Sequence, residues 1–138
     1  MNIKVDYPPN YQKIKTFFNP SKGTYFTYGD TIFNPDNAPL DPPLLAHEFV
    51  HYIQQEKLGA ENWWNRYFID PPFRLSQELE AYRVQYHEGM KIINDKNHLA
   101  RWLNLLAWEL SGKLYGEIIP FNKAIEAIKS DRPIEFKL

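Results

Sequence analysis

The most informative stretch of this chain is His47-Glu48-Phe49-Val50-His51. Two histidines four residues apart lie within about 40° of each other around a helix, so both imidazoles can reach one metal ion. The glutamate between them can face a water molecule bound to that ion. Because this pattern also occurs by chance in ordinary helices, it requires a helix at this place and a third ligand from elsewhere in the chain.

The residues around this stretch predict one long helix. Asp41 can cap the first turn, and Pro42 fits the first helical position. Gly59 is well placed to end the helix, so we expect it to run to about Leu58. On a helical wheel, one side is mainly apolar and consists of Leu45, Ala46, Phe49, Tyr52 and Ile53. The other side is polar and consists of His47, Glu48, His51, Gln54 and Gln55. This pattern predicts that the apolar side packs into the core and that the motif lies on a polar face.

Short β-strands are expected before this helix. Ile3 to Tyr7 can form one strand, which Pro8-Pro9 would end. Thr24 to Tyr28 and Thr31 to Phe33 are β-branched and aromatic runs joined by Gly29-Asp30. A two-residue connection that begins with glycine suits a type II′ hairpin turn. We therefore predict a small N-terminal hairpin or sheet next to the motif helix.

Further helices are expected after the motif helix. Trp63 to Ile69 indicates a short helix or a packed loop that supplies core anchors, interrupted by Pro71-Pro72. Helical spacing predicts three more helices, which run from Ser76 to about Asn94, from His98 to about Tyr115, and from Asn122 to Lys129. A tail at Arg132 to Phe136 follows them. The chain is thus expected to be an α+β, mainly helical protein with a single domain over residues 1–138.

The composition excludes several classes of protein. Without cysteine, a disulfide or a thiolate metal site cannot form, so any metal must be bound by His, Asp or Glu. The 16 Lys and Arg nearly balance 17 Asp and Glu, which predicts neither a nucleic-acid surface nor a polybasic membrane patch. Met1 to Asp6 lacks the apolar segment of a signal peptide, and no run of about 18 apolar residues suggests a transmembrane helix. The sequence therefore predicts a soluble, uncleaved protein, compatible with the cytoplasm but otherwise of unspecified location.

A catalytic zinc site usually needs a third protein ligand, and the second long helix offers two candidates. Glu78 and Glu80 lie about 200° apart around a regular helix, so only one of them can face the metal. Glu78 shares its face with Ala81 and Tyr82, which permits close packing on the motif helix. Glu78 is therefore the preferred ligand. Glu80 is the alternative, and it is expected to point to solvent or to Arg83 if Glu78 is the ligand.

Together these features resemble the gluzincin-type zinc metallopeptidases, particularly the small zincin-like domains found in bacteria and phages. The resemblance covers about Thr24 to Tyr86. Its motifs are a hairpin that ends in Gly-Asp-Thr-Ile-Phe, the helix sequence Leu44 to His51 followed by Gln54-Gln55, and Glu78-x-x-Ala81-Tyr82. In the larger gluzincins an aspartate that supports a ligating histidine often stands where this chain has Tyr82. A backbone carbonyl or another carboxylate is expected to take its place.

The resemblance implies a metalloprotease with a His₂Glu zinc site. His47, His51 and Glu78 would bind Zn²⁺, and Glu48 would be the general base that takes a proton from the zinc-bound water and passes it to the leaving amine. The substrate would be a peptide or protein, bound by strand addition to an edge strand at Thr31 to Asn34.

Three further side chains are candidates for stabilising the transition state or for supporting the metal ligands. Tyr82 and Tyr86 share the helix face of Glu78. Gln55, with Gln54, extends the metal-binding face by one turn, although polar residues are equally typical near a helix end.

Two other interpretations remain open. In one, the chain is a structural or binding module of the same fold, such as a component of a phage particle or toxin assembly with a protein partner, and zinc mainly stabilises it. Glu48 argues against this, because a purely structural site needs no base. In the other, the chain is a metal-free helical interaction protein with an accidental motif. The combination of motif, polar helix face and Glu78 argues against that.

Overall fold

The computed structural model describes residues 1–130 and confirms an α+β architecture that is mainly helical. The helices in this part of the chain are α1 (Tyr11–Phe17), α2 (Pro42–Leu58), α3 (Ala60–Ile69), α4 (Pro71–Met90), α5 (Lys96–Leu110) and α6 (Phe121–Lys129), with one 3₁₀ turn at Lys113–Tyr115. The tail from Arg132 to Phe136 lies outside the described residues. Within residues 1–130, no helix is both long and apolar enough to cross a membrane.

The sheet consists of β1 (Asn2–Lys4), β2 (Phe26–Tyr28) and β3 (Thr31–Phe33), in the order β1-β3-β2. The predicted hairpin is confirmed, because β2 and β3 are antiparallel and Gly29 at the turn has the positive φ, 60°, that a type II′ turn requires. The first strand is shorter than predicted and ends at Lys4.

The position of β3 contradicts one expectation. β1 pairs with β3 in parallel, so β3 is the central strand of the sheet. The next backbone N–H, that of Asn34, donates to the carbonyl oxygen of Lys4 at 2.7 Å. The prediction of a free edge at Thr31 to Asn34 was therefore wrong, because a strand from the start of the chain already occupies that edge.

Local signals account for the boundaries of α2. It begins at Pro42 and ends at Leu58, as predicted, and Asp41 caps it by accepting from the N–H of Leu44 at 2.9 Å. α4 differs, because it begins at Pro71 rather than near Ser76. The two prolines start this helix and do not interrupt it, since a proline in the first turn lacks only an N–H that would have no helical partner.

Two other helical segments also differ from the prediction. α1 was not predicted, although Tyr11, Ile14 and Phe18 have helical spacing and Ile14 is buried. α5 ends at Leu110 rather than near Tyr115, because the backbone at Gly112 is extended and only a 3₁₀ turn follows.

Among residues 1–130, two clusters of apolar side chains contribute to the core, and α4 belongs to both. The first joins α4, α5 and α6 and consists of Leu79, Tyr82, Tyr86, Leu103, Leu106, Ala107, Leu110, Ala124 and Ile128. The second joins α1, β2, α3 and the start of α4 and consists of Ile14, Phe26, Trp63, Trp64, Tyr67, Phe68 and Phe73. The aromatic residues of α3 are thus core anchors, as predicted. The same prediction was wrong for Ile69, which is 75% exposed at the end of α3.

The orientation of α2 is opposite to the expectation from the helical wheel. Its polar side is buried, with at most 6% exposure in His47, Glu48, His51, Gln54 and Gln55. From the apolar side, Phe49 and Ile53 are 47% and 37% exposed. Burial of the polar side is tolerated because its side chains form hydrogen bonds with groups of β2 and α4. The motif therefore faces the interior of the protein.

Candidate metal centre

The motif histidines and the predicted third ligand meet where α2 packs against α4. His47 and His51 project from successive turns of α2, and Glu78 projects from α4. The Nε2 atoms of His47 and His51 lie 3.4 and 3.2 Å from Oε1 of Glu78. Glu80 is exposed and instead accepts a hydrogen bond from Nε2 of Gln54 at 3.3 Å. Of the two candidate carboxylates, Glu78 is therefore the one that joins the histidines.

Each imidazole is held by a glutamine. Nδ1 of His47 lies 2.9 Å from Oε1 of Gln85, and Nδ1 of His51 lies 2.9 Å from Oε1 of Gln54. Because an amide oxygen can only accept, each Nδ1 donates. In a neutral imidazole the lone pair is then on Nε2, the atom that faces the shared carboxylate. The glutamines thus orient both histidines for metal binding.

The supporting residues differ from those expected from the sequence. A backbone carbonyl or another carboxylate was expected to accept from a histidine, but the side-chain amides of Gln85 and Gln54 do so. Gln85 was missed, although it follows the third ligand by about two helical turns and so shares its face. Gln54, rather than Gln55, contacts a histidine. Gln55 instead holds the hairpin, because its Nε2 donates to the carbonyl oxygen of Thr27 at 2.8 Å and its Oε1 accepts from the N–H of Gly29 at 2.7 Å.

The second oxygen of Glu78 is held by α3. The hydroxyl of Tyr67 donates to Oε2 of Glu78 at 2.6 Å. Burial raises the pKa of Tyr67 well above its usual value, so this hydroxyl stays protonated and remains a donor. The sequence indicated Tyr67 only as a core anchor. A tyrosine one helix upstream of a ligand carries no distinctive sequence signal for this role.

The charges of the centre are strongly coupled. Burial by itself would raise the pKa of Glu78, but the neighbouring His51 and His47 outweigh burial and hold this pKa well below its usual value. Burial by itself would lower the pKa of His51, but attraction to Glu78 and their hydrogen bond raise it to about 9. Without a bound metal, the site is therefore an ion pair between a carboxylate and an imidazolium.

Glu48 lines the same cavity as the three candidate ligands. Oε2 of Glu48 accepts a hydrogen bond from the hydroxyl of Thr27 at 2.7 Å. Thr27 lies on β2 and was not anticipated from the sequence. Its carbonyl oxygen also accepts from Nε1 of Trp64 at 3.0 Å. The hairpin is thus fixed against α2 and α3, and it positions one oxygen of the predicted base.

The two tyrosines predicted near the site have different surroundings. Tyr82 packs edge-on against His47 with ring centroids 4.6 Å apart, and its hydroxyl lies 2.9 Å from that of Tyr115. Tyr115 lies in the 3₁₀ turn after α5, lines the cavity and was not anticipated. Tyr86 packs in the cluster of α4, α5 and α6, where it stacks on Trp102 at 6.2 Å. Tyr82 is therefore the one placed against a candidate ligand.

The donor atoms of the cluster suit a divalent metal ion. Tetrahedral bonds of about 2.0–2.1 Å around zinc separate neighbouring donor atoms by about 3.3–3.4 Å. The observed separations between imidazole Nε2 and Oε1 of Glu78, 3.2 and 3.4 Å, agree with this geometry. The ligand atoms of His47, His51 and Glu78 all lie within 4.8 Å of one another. These three buried residues can therefore hold a metal ion.

Two spaces meet at His47 and Glu48. An inner cavity of about 60 Å³ is lined by the three candidate ligands and by aromatic side chains of α3, and it is large enough for several water molecules. An outer cleft of about 380 Å³ lies on the side of Tyr82 and Gln85. Residues 21–25 form one wall of this cleft and α5 forms the other. The centre thus lies between two spaces that share His47 and Glu48.

Comparison with known proteins gave no match to a family model, to a curated protein or to a solved structure. The resemblance to gluzincins is therefore supported only by the cluster of His47, His51 and Glu78, which could bind a metal ion.

Proposed function

We propose that this protein is a zinc-dependent metallopeptidase, a hydrolase that cleaves peptide bonds. One observation carries the proposal. Nε2 of His47, Nε2 of His51 and Oε1 of Glu78 converge in a cavity that Glu48 also lines. A structural metal site has no use for a base beside it, whereas a hydrolytic site requires one. The adjoining cleft supports the proposal, because it provides a path for substrate.

Zinc is the metal that this donor set suits best. Two imidazoles and one carboxylate form a common set of protein ligands for catalytic zinc, with a fourth position open to water. Gln54 and Gln85 favour the same assignment, since metal-bound histidines usually donate from their other ring nitrogen. When bound, zinc lowers the pKa of a water molecule and polarises the carbonyl of the substrate.

Glu48 acts as the general base in this proposal. Its carboxylate accepts a proton from the attacking water and later donates it to the leaving amine. The bond from Thr27 to Oε2 of Glu48 keeps the carboxylate in place during this transfer. Tyr115 lines both the cavity and the cleft, and Tyr82 holds its hydroxyl. We assign Tyr115 as the donor to the substrate oxygen that gains negative charge.

The cleft indicates how a peptide would bind. A space of about 380 Å³ accommodates a few residues of an extended chain. β3 is the central strand and does not line this cleft. The segment Ser21 to Tyr25, which leads into β2, does line it. The N–H groups of Gly23 and Thr24 already donate to Asp36 and to Ser21, so we infer that this segment contacts the substrate as a wall of the cleft and not by strand addition.

Glu48→Gln tests the proposal directly. The variant should bind zinc as tightly as the wild type, because Glu48 is not a ligand, and should lose peptide cleavage, because the amide cannot accept the proton. Glu56→Gln is a matched control, since Glu56 is an exposed glutamate on the same helix. It should retain both properties. Zinc is measured by elemental analysis and cleavage by mass spectrometry on a broad peptide library.

Two outcomes would contradict the proposal. Zinc-loaded wild type that cleaves no peptide in the library would favour a binding or structural module. Failure to bind zinc after reconstitution, with no effect of His47→Ala, would exclude the metal centre altogether.

A further inference from the structure

A second groove continues from the cleft along α5. This distal groove, of about 940 Å³, is lined by the C-terminal end of α5, by residues 111–121 and by Asn19 and Ser21. Ser21, Glu109 and Leu114 line both the distal groove and the cleft beside the metal centre. The two spaces are therefore parts of one continuous channel.

The distal groove exposes large apolar side chains. Trp108 is 69% exposed and Phe121 is 41% exposed, and both line the groove. Ile118 and Ile119 lie between them in the chain and are half-buried in the same lining. On the cleft side, Leu105 is 51% exposed. Glu109, Lys113 and Glu117 also line the groove. Exposed large apolar side chains gathered in one groove are typical of a binding surface.

Helix geometry gives the length of chain that this channel can hold. The cleft begins at Trp102 and the distal groove begins at Trp108 on the same helix. Six residues of an α-helix span about 9 Å. An extended peptide advances about 3.3 Å per residue, so the stretch of the cleft from Trp102 to Trp108 accommodates about three residues of substrate.

We propose that the distal groove binds the part of an extended peptide substrate that leaves the cleft past Glu109, and that it selects apolar side chains there. This inference rests on the proposed peptidase function. The occupant is an unfolded or extended chain, because the groove adjoins the cleft at Ser21, Glu109 and Leu114, so one extended chain can enter both. Its lining is mainly apolar, which selects apolar residues. Such a channel allows a small protein to bind a long stretch of substrate.

The test uses zinc-loaded Glu48→Gln protein, in which binding is measured without cleavage. The probes are alanine-based hexapeptides carrying a fluorophore and extended at either end with Leu-Phe-Leu or with Ser-Gly-Ser. Fluorescence anisotropy gives the Kd of each peptide. We expect one of the two Leu-Phe-Leu peptides to bind at least about tenfold more tightly than its Ser-Gly-Ser counterpart, because it buries aromatic and aliphatic surface at Trp108 and Phe121.

Trp108→Ala, made in the same background, should remove this preference. Because Trp108 is largely exposed, its replacement should not impair folding. Ile69→Ala is the control, since Ile69 is 75% exposed at the end of α3 and does not line the groove. It should keep the preference. The effects of Trp108→Ala and of the peptide extension should be strongly non-additive, as for groups in direct contact.

Three results would overturn the inference. The first is equal binding of the two kinds of extension, or no binding of any peptide. The second is an equal effect of Trp108→Ala and Ile69→Ala. The third is a protein that sediments as a dimer and becomes a monomer with Trp108→Ala. That result would make the groove a contact between two copies of this chain. A different result would separate this inference from the peptidase function. If the wild type cleaves no peptide while Glu48→Gln still prefers a Leu-Phe-Leu extension, peptide binding in the distal groove is supported and only the peptidase function is contradicted.

Discussion

Tyr67→Phe tests whether α3 contributes to metal binding through Glu78. The substitution removes only the hydroxyl that donates to Oε2 of Glu78 at 2.6 Å. The ring should keep its packing, because the ring centroids of Trp63 and Trp64 lie 4.8 and 5.2 Å away and need no hydroxyl. Tyr67 is only 4% exposed, so solvent is poorly placed to replace the lost donor. The variant therefore isolates one hydrogen bond to a buried carboxylate.

The expected loss follows from the charge of the acceptor. A hydrogen bond to a charged group contributes roughly 1.5–3 kcal/mol, so the free energy of unfolding of the metal-free protein should fall by about that amount. Removing a group that supports a metal ligand typically weakens metal binding by about 10–100-fold. We expect the Kd for Zn²⁺ to rise by about this factor, because Glu78 is held less well in position.

Two measurements check this prediction. Competition with a chromophoric chelator gives the Kd for Zn²⁺, and urea denaturation in the presence of excess chelator gives the free energy of unfolding. Tyr86→Phe is the control, since Tyr86 is 5% exposed but packs in the other apolar cluster. It should leave the Kd unchanged. A Tyr67→Phe variant that binds zinc as tightly as the wild type would refute the reasoning.

Two further predictions concern α2. Gln54→Leu should weaken Zn²⁺ binding by roughly 10–100-fold because it removes the acceptor of His51. Gln55→Leu should instead lower the free energy of unfolding by roughly 1–3 kcal/mol, since it removes two hydrogen bonds to the hairpin, and should leave the Kd for Zn²⁺ unchanged. Equal effects of Gln54→Leu and Gln55→Leu on this Kd would contradict the prediction. The second prediction concerns the pH dependence of stability. In the metal-free protein the pKa of His51 is raised from 6.5 to about 9. The ion pair of His51 with Glu78 therefore contributes fully to the free energy of unfolding below about pH 6.5, and this contribution is lost as the pH rises towards 9. Urea denaturation of the metal-free protein should show the free energy of unfolding falling over this pH range, and His51→Gln should abolish that fall. Zn²⁺ should bind the wild type more tightly as the pH rises, because binding displaces the same proton from His51.

Predictions that depended on neighbouring residues were the most successful. Asp41 caps α2 because its carboxylate needs only the N–H of Leu44, three residues away. Gly29 forms the hairpin turn because a positive φ is a property of one residue. Glu78 and Glu80 point in different directions because their angular separation on a helix does not depend on the rest of the protein.

Predictions that depended on distant partners were wrong or incomplete. β3 was expected to be an edge strand, but β1 pairs with it from the start of the chain. The helical wheel separated the two faces of α2, but it assigned the polar face to the outside. Thr27, Tyr67 and Gln85 hold the site from three different elements. Gln85 shares the helix face of Glu78, which is a local signal. For Thr27 and Tyr67 only the spatial position gives the role, so no local pattern could identify them.

The sequence by itself determined the spacing of His47, Glu48 and His51 and the helix that carries them, because both depend on interactions within a few residues. Because cysteine is absent, it also limited the metal ligands to His, Asp or Glu, and the second long helix supplied Glu78 and Glu80 as candidates. Only the tertiary structure decided that the polar face of α2 is buried and that Glu78 is the residue that meets the histidines. The physical reason is that a buried polar group is stable only with partners, and those partners come from elements far apart in the chain.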